Sequence, residues 1–175
     1  MKMARLNSAI TLIRPVNSIM VGFAVMVGIG VASPSMILSI YSLLGFLTGF
    51  FISSFSMVVN DYYDIEVDKV NRPDRPLPSG TISPNFAIVL ALILLSIGIV
   101  SSLLISLNNF VIASVFAFLA WFYNFWGKRR GFIGNIMVAA SVAIPYIYGG
   151  MAVGNAYKPL LIWLALTSFL AVTGR

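Results

Sequence analysis

All five carboxylates of the chain, Asp61, Asp64, Glu66, Asp68 and Asp74, fall in one short segment, and the rest of the 175-residue sequence contains none. Asp61, Asp64 and Asp68 stand at i, i+3 and i+7, which on a helix of 3.6 residues per turn places them along one narrow face, with Glu66 projecting elsewhere. If the preceding helix continues past Asn60, three like charges line up at its C-terminal end. That arrangement is unfavourable twice over. Like charges at helical spacing repel, and carboxylates at a helix C-terminus oppose the macrodipole. A bound divalent cation removes both penalties. The sequence has no histidine and no cysteine, so thiolate and disulfide chemistry are excluded and zinc loses its usual ligands. Oxygen donors suit a hard cation such as Mg²⁺, which takes one or two carboxylates and fills its octahedron with water and phosphate oxygens. The array therefore predicts Mg²⁺ at Asp61, Asp64 and Asp68, presented to a phosphate ligand. The plain alternative is a solvated acidic loop, against which the spacing and the lack of acids elsewhere both argue.

The residues that follow are Val70-Asn71-Arg72-Pro73-Asp74-Arg75-Pro76-Leu77-Pro78-Ser79-Gly80. Proline limits the freedom of the unbound chain, so Arg72 and Arg75 lose less entropy when they are ordered. Guanidinium groups suit phosphate oxygens in a two-pronged geometry. The same two arginines also serve as positive anchors at a membrane surface, and both roles can hold together.

The elements that must position this segment are membrane helices. Apolar residues make up 59% of the chain and charged residues 9%, against roughly 25% charged in a soluble domain. Stretches of about 20 apolar residues span a bilayer as helices, because lipid offers no partner for backbone polar groups. Such stretches run at about 16–32, 36–59, 84–107, 110–126, 132–151 and 159–173, separated by turn residues such as Ser33-Pro34, Asn108-Asn109 and Gly154-Asn155. The fold class expected is an all-α, polytopic transmembrane bundle, with a motif loop over about 60–83. With the N-terminus in the cytoplasm, the inner side receives Lys2, Arg5, Arg14, the loop basics, Lys128, Arg129, Arg130 and Arg175. Of the 11 basic residues only Lys158 falls outside, a positive-inside pattern. The net charge of +6 is thereby explained by topology, with no call for nucleic acid. A multi-pass protein of the cell membrane follows, its N-terminus and motif loop cytoplasmic.

The pattern Asn60-Asp61-x-x-Asp64-x-x-x-Asp68, then Asn71-Arg72-Pro73-x-Arg75-Pro76-x-Pro78-Ser79-Gly80, resembles the first aspartate-rich motif of the UbiA superfamily of intramembrane prenyltransferases. Arg14-Pro15-x-Asn17 before the first span, and Tyr123 with Lys128-Arg129 at the end of the fourth, extend the likeness over most of the chain. The resemblance implies Mg²⁺ held by Asp61, Asp64 and Asp68, and a polyprenyl diphosphate bound with help from Asn60, Arg72, Arg75 and Lys128. Asn60 is equally a candidate helix C-cap. Tyr123 is assigned either to the diphosphate and the allylic cation or to an interfacial aromatic belt. Asn17 either orients the acceptor or caps the first helix, and Arg14 either meets an acceptor phosphate or anchors the chain.

The wording of the loop is most similar to archaeal members that transfer a geranylgeranyl group from geranylgeranyl diphosphate to geranylgeranylglyceryl phosphate in ether-lipid synthesis. An aromatic acceptor, of quinone or chlorophyll type, is the alternative within the superfamily. A divalent-cation transporter is the alternative outside it, disfavoured because no acid lies mid-span. Members carry a second aspartate-rich motif after the sixth helix, and this chain stops at Gly174-Arg175. The expectation is that residues 1–175 form the N-terminal part of one prenyltransferase domain, with about six spans of about nine, inactive alone.

Overall fold

The computed structural model describes residues 2–173, with side chains from Leu6 onward in the N-terminal helix. The expected placements of the Lys2 and Arg5 side chains and of Arg175 lie outside what is described. Among the described residues every regular element is helical: α1 (Lys2–Ile13), α2 (Pro15–Ala32), α3 (Ile40–Tyr63), α4 (Ile65–Asn71), α5 (Pro84–Leu103), α6 (Leu107–Phe125), α7 (Phe132–Ala152) and α8 (Pro159–Thr173), with 3₁₀ turns at Pro34–Met36 and Gly127–Arg129. Five of these, α2, α3, α5, α6 and α7, are long and apolar enough to cross a membrane. The many large apolar side chains left exposed, among them Leu92, Ile93, Val100 and Phe118, are those a lipid solvent accepts. The chain is a multi-pass membrane protein.

Local signals set the boundaries. Pro15 and Pro84 open α2 and α5, where a missing N–H costs nothing. Ser39, Ser83 and Ser106 each accept a hydrogen bond from the backbone N–H three residues on and so cap α3, α5 and α6. The Ser39 cap starts α3 later than hydropathy alone suggests, and the Ser106 cap opens α6 at Leu107, inside what hydropathy assigns to the preceding span, while α5 ends at Leu103. Asn108-Asn109, expected as a turn, lies in the first turn of α6. Asn109 is buried and satisfied: its Nδ2 donates to Tyr148 O at 3.2 Å and its Oδ1 accepts from Ser106 Oγ at 2.7 Å.

α3 is the central helix, packed on α2, α5 and α6, while α7 packs on α2 and α8. The crossing of α2 and α7 is backbone on backbone. A Cβ on Gly28 would stand 2.3 Å from Tyr146 O, and one on Gly149 would stand 2.2 Å from Val25 O, so glycine at both positions lets the helices touch. Ser18 and Ser54, both fully buried, bond at 3.0 Å between α2 and α3. The helix starts and ends alternate so that Arg14, the 60–83 segment and Lys128 share one end of the bundle, called here the motif end. Lys158 lies at the opposite end, where it donates to Val31 O and Ala32 O at 2.9 and 3.2 Å and closes the last turn of α2.

Candidate functional site

The motif end is built from four pieces of chain. α3 supplies Asn60 and Asp61. It breaks at Asp64, whose φ of −92° and ψ of 2° separate it from α4. The hydrogen bonds Asp64 N to Asn60 O (3.1 Å) and Asp68 N to Asp64 O (2.8 Å) nevertheless carry the helical turn across the break. The single straight face expected for Asp61, Asp64 and Asp68 is therefore bent, and the three carboxylates divide into two groups.

In the first group Asp61 and Asp68, 5% and 7% exposed, share one guanidinium. Arg75 Nη1 reaches Asp68 Oδ2 at 2.5 Å and Asp61 Oδ1 at 3.4 Å, and Arg14 Nη2 reaches the same Asp61 oxygen at 2.5 Å. Arg75 is held there by its own loop. Leu77 and Ile82 are buried in the cluster of Leu12, Phe55, Val58 and Ala87, and the loop closes on itself through Ser79 N to Arg75 O and Ile82 N to Pro76 O, both 3.0 Å. The proline-rich loop is thus folded onto the bundle rather than solvated. Arg14 arrives by a different device. It sits in the left-handed region at φ 45°, ψ 65°, which costs a non-glycine residue roughly 1–2 kcal/mol. Proline at the next position disfavours the ordinary helical conformation for it, so the chain breaks between α1 and α2 and turns the side chain toward Asp61.

In the second group Lys128, from the turn after α6, pairs with Asp64. Beside it the Asn60 amide has two settings. With its Nδ2 donated to Asn124 Oδ1 at 2.8 Å, the amide oxygen lies 3.2 Å from Asp64 Oδ2 and the nitrogen 3.2 Å from Lys128 Nζ, both repulsive; turned over, the nitrogen donates to Asp64 Oδ2 and the oxygen accepts from Lys128 Nζ, each at 3.2 Å, and this second setting is the better satisfied.

Below these groups, a cavity of about 620 Å³ opens between α2, α3, α6 and α7. Arg14, Asn17, Asn60, Tyr123 and Asn124 line its motif end, and Val25, Ile52, Ala113 and Ile144 line its apolar depth. It ends at Thr48 and Tyr148, and Tyr148 Oη donates to Ser102 Oγ at 2.9 Å. From Asn60 to Thr48 along α3 is about 18 Å at 1.5 Å per residue.

Nine of the ten residues singled out from sequence therefore meet at one site or line its cavity. Arg72 does not: it is exposed and forms no ion pair among the described residues. Asn17 does not cap α2, whose cap position is Arg14, and instead lines the cavity. Asn60 lies one turn before the end of α3, whose cap is Asp64. Tyr123 faces the cavity, apart from the outer aromatic stripe in which Trp121 stacks on Phe125 at 5.4 Å and Phe122 on Trp126 at 5.3 Å. Asn124 was not singled out, although an amide buried within the aromatic run Trp121–Trp126 is the kind of polar exception that marks a site in a membrane span.

The donor set fits Mg²⁺. All its members are oxygens, and Asn60 with Asp64 brings two of them within 3.2 Å in one setting. Two oxygens on adjacent corners of an octahedron with 2.0–2.1 Å bonds stand about 2.9 Å apart. No group of three acids converges among the described residues, so the remaining corners would fall to water and phosphate.

The model of the UbiA prenyltransferase family matches residues 21–175. The digeranylgeranylglyceryl phosphate synthase of Thermococcus sibiricus is 38% identical over 97% of this chain and 60% of its own length. That of Methanocaldococcus jannaschii is 36% identical over 99% of this chain and 60% of its own length. Among solved structures, one of a digeranylgeranylglyceryl phosphate synthase in membranes superposes with a TM-score of 0.90 at 34% identity, covering 97% of this chain and 60% of the other. A UbiA homolog from Archaeoglobus fulgidus bound to DMAPP and Mg²⁺ superposes at 0.78 with 22% identity over 95% of this chain and 60% of that one, a likeness of fold. The chain spans about 60% of the length of the curated relatives named here.

Proposed function

The chain belongs to the UbiA prenyltransferase family, and from that premise we propose that its motif end binds a Mg²⁺-complexed prenyl diphosphate, transferring the prenyl group to a lipid acceptor. The substrates proposed are geranylgeranyl diphosphate and geranylgeranylglyceryl phosphate. The relatives at 36–38% identity carry that synthase's name. The observation that carries the reading is the position of the cavity. An apolar chamber ends at Arg14 and Asn60, with Asp61 paired to Arg14 and the Asp64–Lys128 pair beside Asn60, so a molecule with a diphosphate head and a hydrocarbon tail matches it at both ends.

Each residue has a part. Bound Mg²⁺ would be held by Asn60, Asp64 and Asp61, with Asp68 behind them, and would neutralise the charge that grows on the departing diphosphate. Arg75, Arg14 and Lys128, now paired with the carboxylates, would exchange those partners for phosphate oxygens and supply further positive charge. The allylic C–O bond breaks with both electrons leaving on the diphosphate. The acceptor hydroxyl oxygen then forms the new bond to the freed carbon, and its proton passes to the departing diphosphate. Tyr123, facing the cavity at its mouth, presents a ring to the carbon that becomes positive, a contact worth about 0.5–2 kcal/mol. Arg72, exposed in the loop, would meet phosphate only on approach from outside the ion-paired site. The basic residues of the motif end support a cytoplasmic location for it.

The acceptor is tested by incubating membranes carrying the whole protein with labelled geranylgeranyl diphosphate and, separately, geranylgeranylglyceryl phosphate or an aromatic quinone precursor. Label is expected in an ether lipid with the first acceptor at a rate at least about tenfold above the second, a difference of 1.4 kcal/mol in the barrier. Preferential labelling of the aromatic ring would overturn the lipid assignment and leave the diphosphate site intact.

A further inference from the structure

The deep end of the cavity is closed by one residue from each of the four helices around it. Val25 of α2, Thr48 of α3, Ala113 of α6 and Tyr148 of α7 stand there, each at most 4% exposed. Ile29, one turn further along α2 and fully buried, packs with Val25, Ala113 and Tyr148 in one apolar cluster. Tyr148 is the largest of the four and is held in place. Its Oη donates to Ser102 Oγ of α5 at 2.9 Å, and its backbone oxygen accepts from Asn109 Nδ2 of α6 at 3.2 Å. Gly149, next to it, lies against the backbone of α2, where a Cβ would stand 2.2 Å from Val25 O. Ser102 is fully buried, so swinging the ring aside would strip two buried hydroxyls of their shared bond, an unfavourable change.

The distance from mouth to floor matches a particular chain. Asn60 and Thr48 are about 18 Å apart along α3. A four-unit prenyl chain has about 15 carbon–carbon bonds from its reacting carbon to its tip, and at about 1.25 Å of advance per bond it extends about 19 Å. A fifth unit adds about 5 Å and would drive the tip into the Tyr148 ring. We propose that Tyr148 sets the upper limit of prenyl chain length: its ring stops the tail of a four-unit diphosphate whose head is held at the motif end. The inference rests on the prenyl diphosphate reading above and adds a chain-length rule to it. The competing route is a side pocket of about 160 Å³ between α6 and α7, which meets the main cavity at Ile112, Phe116, Ile144 and Tyr148. A tail turned into it would run toward lipid and meet no such limit.

The measurement is kcat/KM for transfer from prenyl diphosphates of three, four and five units, by the whole protein in membranes with its preferred acceptor. One methylene too many in an apolar pocket costs roughly 10–200-fold, so the parent is expected to favour four units over five by at least about tenfold. Tyr148→Ala removes the stop and is expected to raise the five-to-four ratio at least about tenfold. Ala24, half-buried, lines the cavity just above Val25, and a side chain there leans toward the motif end. Ala24→Phe therefore raises the floor and is expected to lower the four-to-three ratio at least about tenfold. Each ratio is taken within one preparation, so a general loss of folded protein leaves it unmoved. If Tyr148→Ala does not accumulate, Tyr148→Leu, shorter than tyrosine and apolar, is read for the same shift. A parent that uses five units as well as four would overturn the proposal. So would an unmoved five-to-four ratio in the Tyr148 variant, the result of a tail that leaves between α6 and α7. No transfer from any of the three diphosphates by the parent would overturn the prenyl diphosphate reading instead.

Discussion

Asp64→Ala is expected to lower prenyl transfer by about 1000-fold at saturating substrate while leaving the fold intact. The reasoning starts from position. Asp64 stands at the break between α3 and α4, half-buried, with its carboxylate on Lys128 and beside the amide of Asn60. Removing it strips the candidate metal of one charged ligand and leaves Lys128, which is exposed, free to solvate. Little packing is lost, so little stability should go with it. The effect falls on the transition state, where the diphosphate carries away both electrons of the broken bond. Losing one preorganised electrostatic partner of that kind typically costs about 10²–10³ in rate. The check is turnover of labelled geranylgeranyl diphosphate, set beside thermal unfolding in detergent. Turnover within tenfold of the parent would contradict the role given to this residue.

Arg75→Ala is expected to act on stability first. Arg75 is one of two cations serving Asp61, and the only one within 4 Å of Asp68 among the described residues. Without it two nearly buried carboxylates face each other with Arg14 alone to compensate. Breaking a buried ion pair by removing one partner costs about 3 kcal/mol or more. The loss should be largest with metal chelated and should shrink when Mg²⁺ and diphosphate are present, because the metal then takes over the compensating charge. Thermal unfolding with and without Mg²⁺ plus diphosphate measures both. Equal destabilisation in the two conditions would mean that the carboxylates do not hold the metal.

The helices and the site were legible in the sequence to different degrees. Six apolar stretches became α2, α3, α5, α6, α7 and α8 with shifts of a few residues, because a span needs only length and hydrophobicity, and both are written locally. The shifts trace to serine caps, which a hydropathy window does not see. α1 was missed because its polar and apolar residues alternate around the helix, so its twelve residues never form an apolar run. The carboxylates were legible as chemistry, and their partition was not. Which cation each acid takes depends on where Arg14, Arg75 and Lys128 arrive in space, from a left-handed residue, a folded proline loop and a turn after α6. Arg72 and Arg75 look alike in sequence. Only the burial of Leu77 and Ile82 turns one inward and leaves the other in solvent. Asn124 was hidden for the converse reason: one amide among aromatics carries no spacing to read, and its meaning appears only when Asn60 is found across from it.

The claim on which the rest depends is that the prenyl diphosphate is held through a divalent metal, with the acids as its anchor. Equilibrium binding of a non-hydrolysable geranylgeranyl diphosphate analogue to the whole protein, before and after chelation of Mg²⁺, tests it most directly. Affinity is expected to fall at least about 100-fold on chelation, equivalent to 2.7 kcal/mol, and to return when Mg²⁺ is restored. Equal affinity with and without the metal would contradict the account.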